Sequence, residues 1–139
     1  MAPIRQLSVA LRVMAVLDWL AISAMIAPWS VLAGAARRYG FEVGQANPLF
    51  HYLARTASGM YVVYGATLWF LASDPQRYSK LIRFLAWLAI VQSTAVLAID
   101  VVEQMPPTWY LPEFFGHLAE SVILLFLLRR ANLPSRPSS

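Results

Sequence analysis

The chain has 139 residues, of which 59% are apolar and only 13% charged, and its mean hydropathy is +0.56. A soluble domain of that size would expose large apolar patches, so lipid is the fitting solvent, and no length is left for a separate soluble domain. The net charge of +4 does not imply nucleic acid, because the bases are placed for a different purpose, and the absence of cysteine excludes disulfides, thiolate metal sites and thiol nucleophiles.

Four apolar stretches dominate: Val13–Leu32, Leu49–Ala72, Leu81–Val102 and Phe114–Leu128. About 20 residues of helix cross about 30 Å of hydrocarbon, so an all-α bundle of four transmembrane helices is expected, with spans at about 9–36, 48–72, 80–103 and 112–130 and a polar tail at 132–139. Arg5 and Arg12, the first stretch and Ala33-Gly34-Ala35 have the layout of a cleavable secretory signal. However, the run is long, contains Asp18 and Pro28, and meets Arg37 and Arg38 at once, so a retained first span kinked at Pro28 is expected.

An outer link with Gly40 and Gly44 follows, and Asn47-Pro48 reads as a cap and first turn for the second span. Ser73-Asp74-Pro75 closes that span, a basic turn leads to the third, and Met105-Pro106-Pro107 ends the third. Thr108 to Pro112 reads as an aromatic outer loop at headgroup level, in which Trp109 and Tyr110 are candidate docking residues for a partner. Pro112-Glu113 is expected to open the fourth span, which Arg129-Arg130 ends.

In this arrangement Arg5, Arg12, Arg77, Lys80, Arg83, Arg129, Arg130 and Arg136 share one side, against Arg37 and Arg38 on the other. Excess Lys and Arg on short loops marks the cytoplasmic side, so both termini are expected there.

Charges within a span cost about 3 kcal/mol or more at the bilayer centre and normally face the bundle interior. The candidates are Asp18 on the first span, Arg55 on the second, Gln92 and Asp100 on the third, and His117 and Glu120 on the fourth, with His51 and Glu103 near the boundary. Ala89, Gln92, Val96, Asp100 and Glu103 share one helical face, as do His51, Arg55, Ser58, Val62 and Gly65, while His117 and Glu120 are neighbours three apart. By depth, Arg55, Asp100, His117 and Glu120 are expected to meet in the outer half, with Arg55 bridged to Asp100 or Glu120. Asp18 falls deeper, beside Arg12, Arg83, Tyr61 or Tyr64. The small residues Ser58, Gly59, Gly65, Ala66, Ala89 and Ser93 would allow close helix approach.

Three chemistries fit these residues besides an internal lock. His117-x-x-Glu120 is half of a carboxylate–imidazole metal pair, which His51 with Asp100 or Glu103 would complete; His51 and His117 would be axial ligands of a haem; and Glu120 with His117 would exchange protons with a bound lipid or small molecule. No Ser-His-Asp set, phosphate-cradling glycine loop or H-E-x-x-H helix is present.

Arg55-x-x-x-Gly59, Gly65 and Arg83-Phe84-Leu85-Ala86-Trp87 resemble features of uncharacterised small four-helix proteins of bacterial inner membranes. The resemblance covers most of the spans and implies the fold and that membrane, not an activity. The expectation is therefore a non-catalytic subunit that packs against other membrane proteins or itself. The alternatives are a membrane enzyme or ligand-binding protein built on the polar cluster, or an oligomeric transporter or channel.

Overall fold

The computed structural model describes residues 3–41 and 48–131. The Asn47 cap, most of the Gly40–Gly44 link and the 132–139 tail lie outside them. Every regular element among the described residues is a helix: α1 (Pro3–Trp19), α2 (Ala21–Ile26), α3 (Trp29–Arg38), α4 (Pro48–Leu71), α5 (Ser79–Val102) and α6 (Pro107–Arg130).

α1 and α2 form one rod. At Leu20 the backbone only tightens, with Leu20 N–H donating to Leu17 O and Ser23 N–H to Leu20 O. Three helices are long and apolar enough to cross a membrane: Pro3–Ile26, Ser79–Val102 and Pro107–Arg130. α4 is equally long, at 24 residues, but is not among them because His51, Arg55 and its tyrosines dilute its apolar character.

Two sequence expectations are corrected here. The first apolar stretch is not a single kinked span over 9–36: Ala27 and Pro28 are both extended, with ψ of 142° and 155°, and they separate the rod from α3. The residue before a proline is pushed out of the helical region, and Pro28 has no N–H with which to continue the rod, so the chain breaks there and restarts. α3 then ends in a Schellman turn. Gly40, at φ +90°, donates to Arg37 O, and Phe41 N–H donates to Ala36 O. That left-handed position is one glycine takes without a Cβ penalty.

The second correction concerns the fourth span, which opens at Pro107 rather than Pro112. Pro107 sits in the first turn, where a missing N–H costs nothing, and Pro112 is absorbed inside the helix. Trp109 and Tyr110 consequently belong to a helix, not a loop.

Packing runs in an arc: α5 against α6, α6 against α1, and α1 and α2 against α4. At the end where α1 begins and α6 finishes, all four rods converge on a core that includes Leu7, Leu11, Leu71, Ile82 and Leu128. Ser8 Oγ ties that end together by donating to Ala72 O at 2.7 Å. Midway, α4 comes so close to α1 that a Cβ on Gly65 would lie 2.8 Å from Ala15 O. Of the two glycines among the small residues, Gly65 sits at this close crossing and Gly59 faces open space, while Ser58 and Ser93 bond back to their own helices.

Toward the other end the arc stays open, because α4 and α5 stand at its two edges. α3 bridges that end loosely. Trp29 packs on Phe50 and His51 at the start of α4, and Tyr39 and Phe41 meet Trp109 edge-on at the start of α6.

Candidate functional site

The open half of the arc encloses a cavity of about 1400 Å³, walled by α4, α5 and α6. Its floor is the top of the sealed core, formed by Met14, Leu68, Ala86 and Leu124. Above that floor the wall is mixed, with Val63, Leu88 and Val96 interspersed among polar and aromatic side chains.

One face of α6 carries two of the three acids that line the cavity. Tyr110, Glu113, His117, Glu120 and Leu124 follow steps of 3, 4, 3 and 4 residues, which stacks them on one side of a helix, and all of them line the cavity. His117 Nδ1 lies 3.8 Å from Glu120 Oε2, the contact expected for neighbours three apart. Across from it on α4, Tyr61 donates its hydroxyl to Glu113 Oε1 at 3.1 Å, and its ring lies parallel to the His117 imidazole with centroids 6.1 Å apart. Glu113 is thus a site residue that the sequence reading treated only as a helix-start acid. Its spacing of four from His117 and seven from Glu120 was the signal available.

His51, Arg55, Gln92 and Asp100 also line the cavity, so it collects most of the expected cluster, with Asp100 only 9% exposed. The expected lock is not formed. Among the described residues no acid lies within 4.0 Å of Arg55, so the bridge to Asp100 or Glu120 is corrected to a shared wall without an ion pair. The reason is geometric: α4 and α5 flank the opening and do not pack together.

Glu103 also departs from expectation. It caps α5, is exposed, and does not line the cavity.

Asp18 lies behind the wall at the Gly65 crossing, within electrostatic reach of Tyr61 and Tyr64, two of its four expected neighbours, and also of His117 and Glu120, while Arg12 stacks over Trp69 instead. Its Oδ2 is buried without a hydrogen-bond partner, as is His51 Nε2.

The two histidines face the same cavity from different helices, each against an aromatic ring: His51 on Trp29 at 4.4 Å between centroids, and His117 on Tyr61. Among the described residues no three of His, Cys, Asp and Glu are gathered closely enough to hold one metal ion. Of the docking candidates, Trp109 is packed by Tyr39 and Phe41, and Tyr110 is turned into the cavity.

Neither a protein-family model nor a curated protein nor a solved structure matches this chain. The cavity therefore has to be read from its own chemistry.

Proposed function

We propose that this chain crosses the bacterial inner membrane four times, with both termini cytoplasmic, and that it holds one amphiphilic small molecule or lipid in the cavity between α4, α5 and α6. The cavity carries this reading. At about 1400 Å³ it exceeds the roughly 300–1,000 Å³ of sites for drug-sized ligands, which suits a molecule with a long apolar part. Its largely apolar lining suits the long chain of an amphiphile and the polar side chains set into the upper wall suit the head, and the edge between α4 and α5 faces the lipid from which such a molecule would come.

The fourth crossing, α4, follows from the same picture. A helix whose polar face lines a cavity can span a membrane at lower overall hydropathy than one that faces lipid all round. The direction of the crossings follows from the basic residues gathered at the sealed end.

A purely packing subunit, with other membrane proteins or further copies as partners, has less support. That role presumed that the cluster neutralised itself through Arg55, and Arg55 makes no such pair. A pathway through a single copy is likewise disfavoured by the core sealing the α1 start.

The test is purification in a mild detergent followed by native mass spectrometry. The expected result is a co-purifying amphiphile near one per chain. It should be lost in Gly59→Phe, which places a ring into the cavity at a position where a Cβ meets nothing within 4 Å. Equal occupancy in Gly59→Phe, or no bound amphiphile after reconstitution with total bacterial lipid, would refute the reading.

A further inference from the structure

We infer that the head of the bound amphiphile is a cation, an alkylammonium-type group seated between the acids of α6 and α5 with its chain running down to the aliphatic floor. This inference rests on the binding reading above and adds the sign of the ligand's charge.

The sign comes from how the ionisable residues are distributed. The chain has eleven bases and seven acids, a net +4. Among the described residues Arg55 alone of the lysines and arginines lines the cavity, whereas Asp100, Glu113 and Glu120 line it from among the acids. A basic protein therefore encloses an acidic cavity when its histidines are neutral. Arg55 bonds none of these carboxylates, and even a protonated His117 beside Glu120 would leave the three acids one positive charge short.

A buried charge without a counter-charge is among the most costly features a fold carries. An anionic head would add to the imbalance and a neutral head would leave it, whereas an ammonium removes it. The carboxylates still have acceptor capacity for this. Glu113 takes one hydroxyl from Tyr61, Glu120 has only the 3.8 Å approach of His117, and Asp18 Oδ2 has no donor.

The aromatic lining is an independent observation in the same direction. Tyr61, Tyr64, Tyr110 and Phe114 line the upper cavity, and ring faces attract ammonium groups while offering an anion nothing comparable.

The experiment uses the full chain in phosphatidylcholine nanodiscs and three tritiated probes of one chain length: dodecyltrimethylammonium, dodecanol and dodecanoate, each corrected for binding to empty discs. The cation is expected to bind about tenfold or more tightly than dodecanol, with dodecanoate weakest. In the isosteric double variant Glu113→Gln/Glu120→Gln the cation-to-dodecanol ratio should fall at least about fivefold. In Arg55→Gln it should rise, which keeps the charge assignment testable if the double variant folds poorly. A ratio near one, a preference for dodecanoate, or a ratio indifferent to both substitutions overturns the inference. If all three probes bind alike and Gly59→Phe removes them, the amphiphile site stands and the cationic head falls. If none binds above empty discs, both fall.

Discussion

The close crossing of α1 and α4 at Gly65 gives the sharpest test of the packing. Adding a Cβ there would put it 2.8 Å from Ala15 O and 3.0 Å from both Asp18 Cβ and Trp19 Cδ1, where ordinary contact begins near 3.4 Å. The nearest of these atoms is backbone, so no rotamer change relieves it and α1 must withdraw by several tenths of an ångström. Withdrawal is resisted on both sides, by Ser8 Oγ donating to Ala72 O and by Trp19 Nε1 donating to Val62 O at 3.2 Å. Overpacking of this kind costs about 1–3 kcal/mol, and the better helix propensity of alanine returns about 1 kcal/mol, so Gly65→Ala should destabilise by up to about 2 kcal/mol. Gly59→Ala is the matched control on the same helix. A Cβ there meets nothing within 4 Å, so only propensity remains and the variant should be stabilised by up to about 1 kcal/mol. Unfolding in mixed micelles titrated with dodecyl sulfate, followed by tryptophan fluorescence, measures both. The close-approach argument fails if the two alanine variants shift stability in the same direction by similar amounts.

A double-mutant cycle between Arg55→Ala and Asp100→Ala in micelles should give a coupling below about 0.5 kcal/mol, because the two side chains share a wall without pairing, and a coupling above about 1 kcal/mol would mean that α4 and α5 close on each other. Reporter fusions after Ser139 and within the Gly40 turn should report opposite sides of the membrane, with Ser139 cytoplasmic; a reversed result would remove the charge-bias argument for orientation.

Much of the fold was legible because it depends on terms that sum along the sequence. Apolar length outlines the helices α4 and α5 almost to the residue, since Pro48 and the Ser73–Asp74 turn, then Ser79 and Glu103, punctuate them sharply. The first and fourth stretches were misjudged where two prolines compete to mark a boundary. Pro28 ends a rod because its predecessor Ala27 goes extended, whereas Pro112 is absorbed five residues inside a helix that Pro107 has already begun. Composition weighs both prolines alike. What separates them is whether the preceding turn is already hydrogen-bonded, which depends on the backbone on both sides.

The site was legible as a set of faces and illegible as a set of pairs. Helical periodicity placed His51, Arg55, Gln92, Asp100, His117 and Glu120 on inward faces, and all six do share one cavity. The same reasoning then joined Arg55 to an acid because buried charges are usually compensated, which assumes that inward faces touch. Here they do not, because the packing order leaves α4 and α5 at the edges of an arc and the polar residues look across a gap instead of at each other. Glu113 follows the same logic in reverse. Judged by its position near a helix start it looked like an end-charge partner, yet the five extra residues that α6 gains at its N-terminus move it well into the helix and bring it to the Tyr61 hydroxyl. The cavity is therefore a consequence of which helices fail to meet. The helices converge at the α1 start, where leucine, isoleucine and alanine meet, and stand apart over a stretch where Val63, Leu88 and Val96 share the lining with carboxylates, imidazoles and phenols, so it is the packing order of the arc that opens the cavity there.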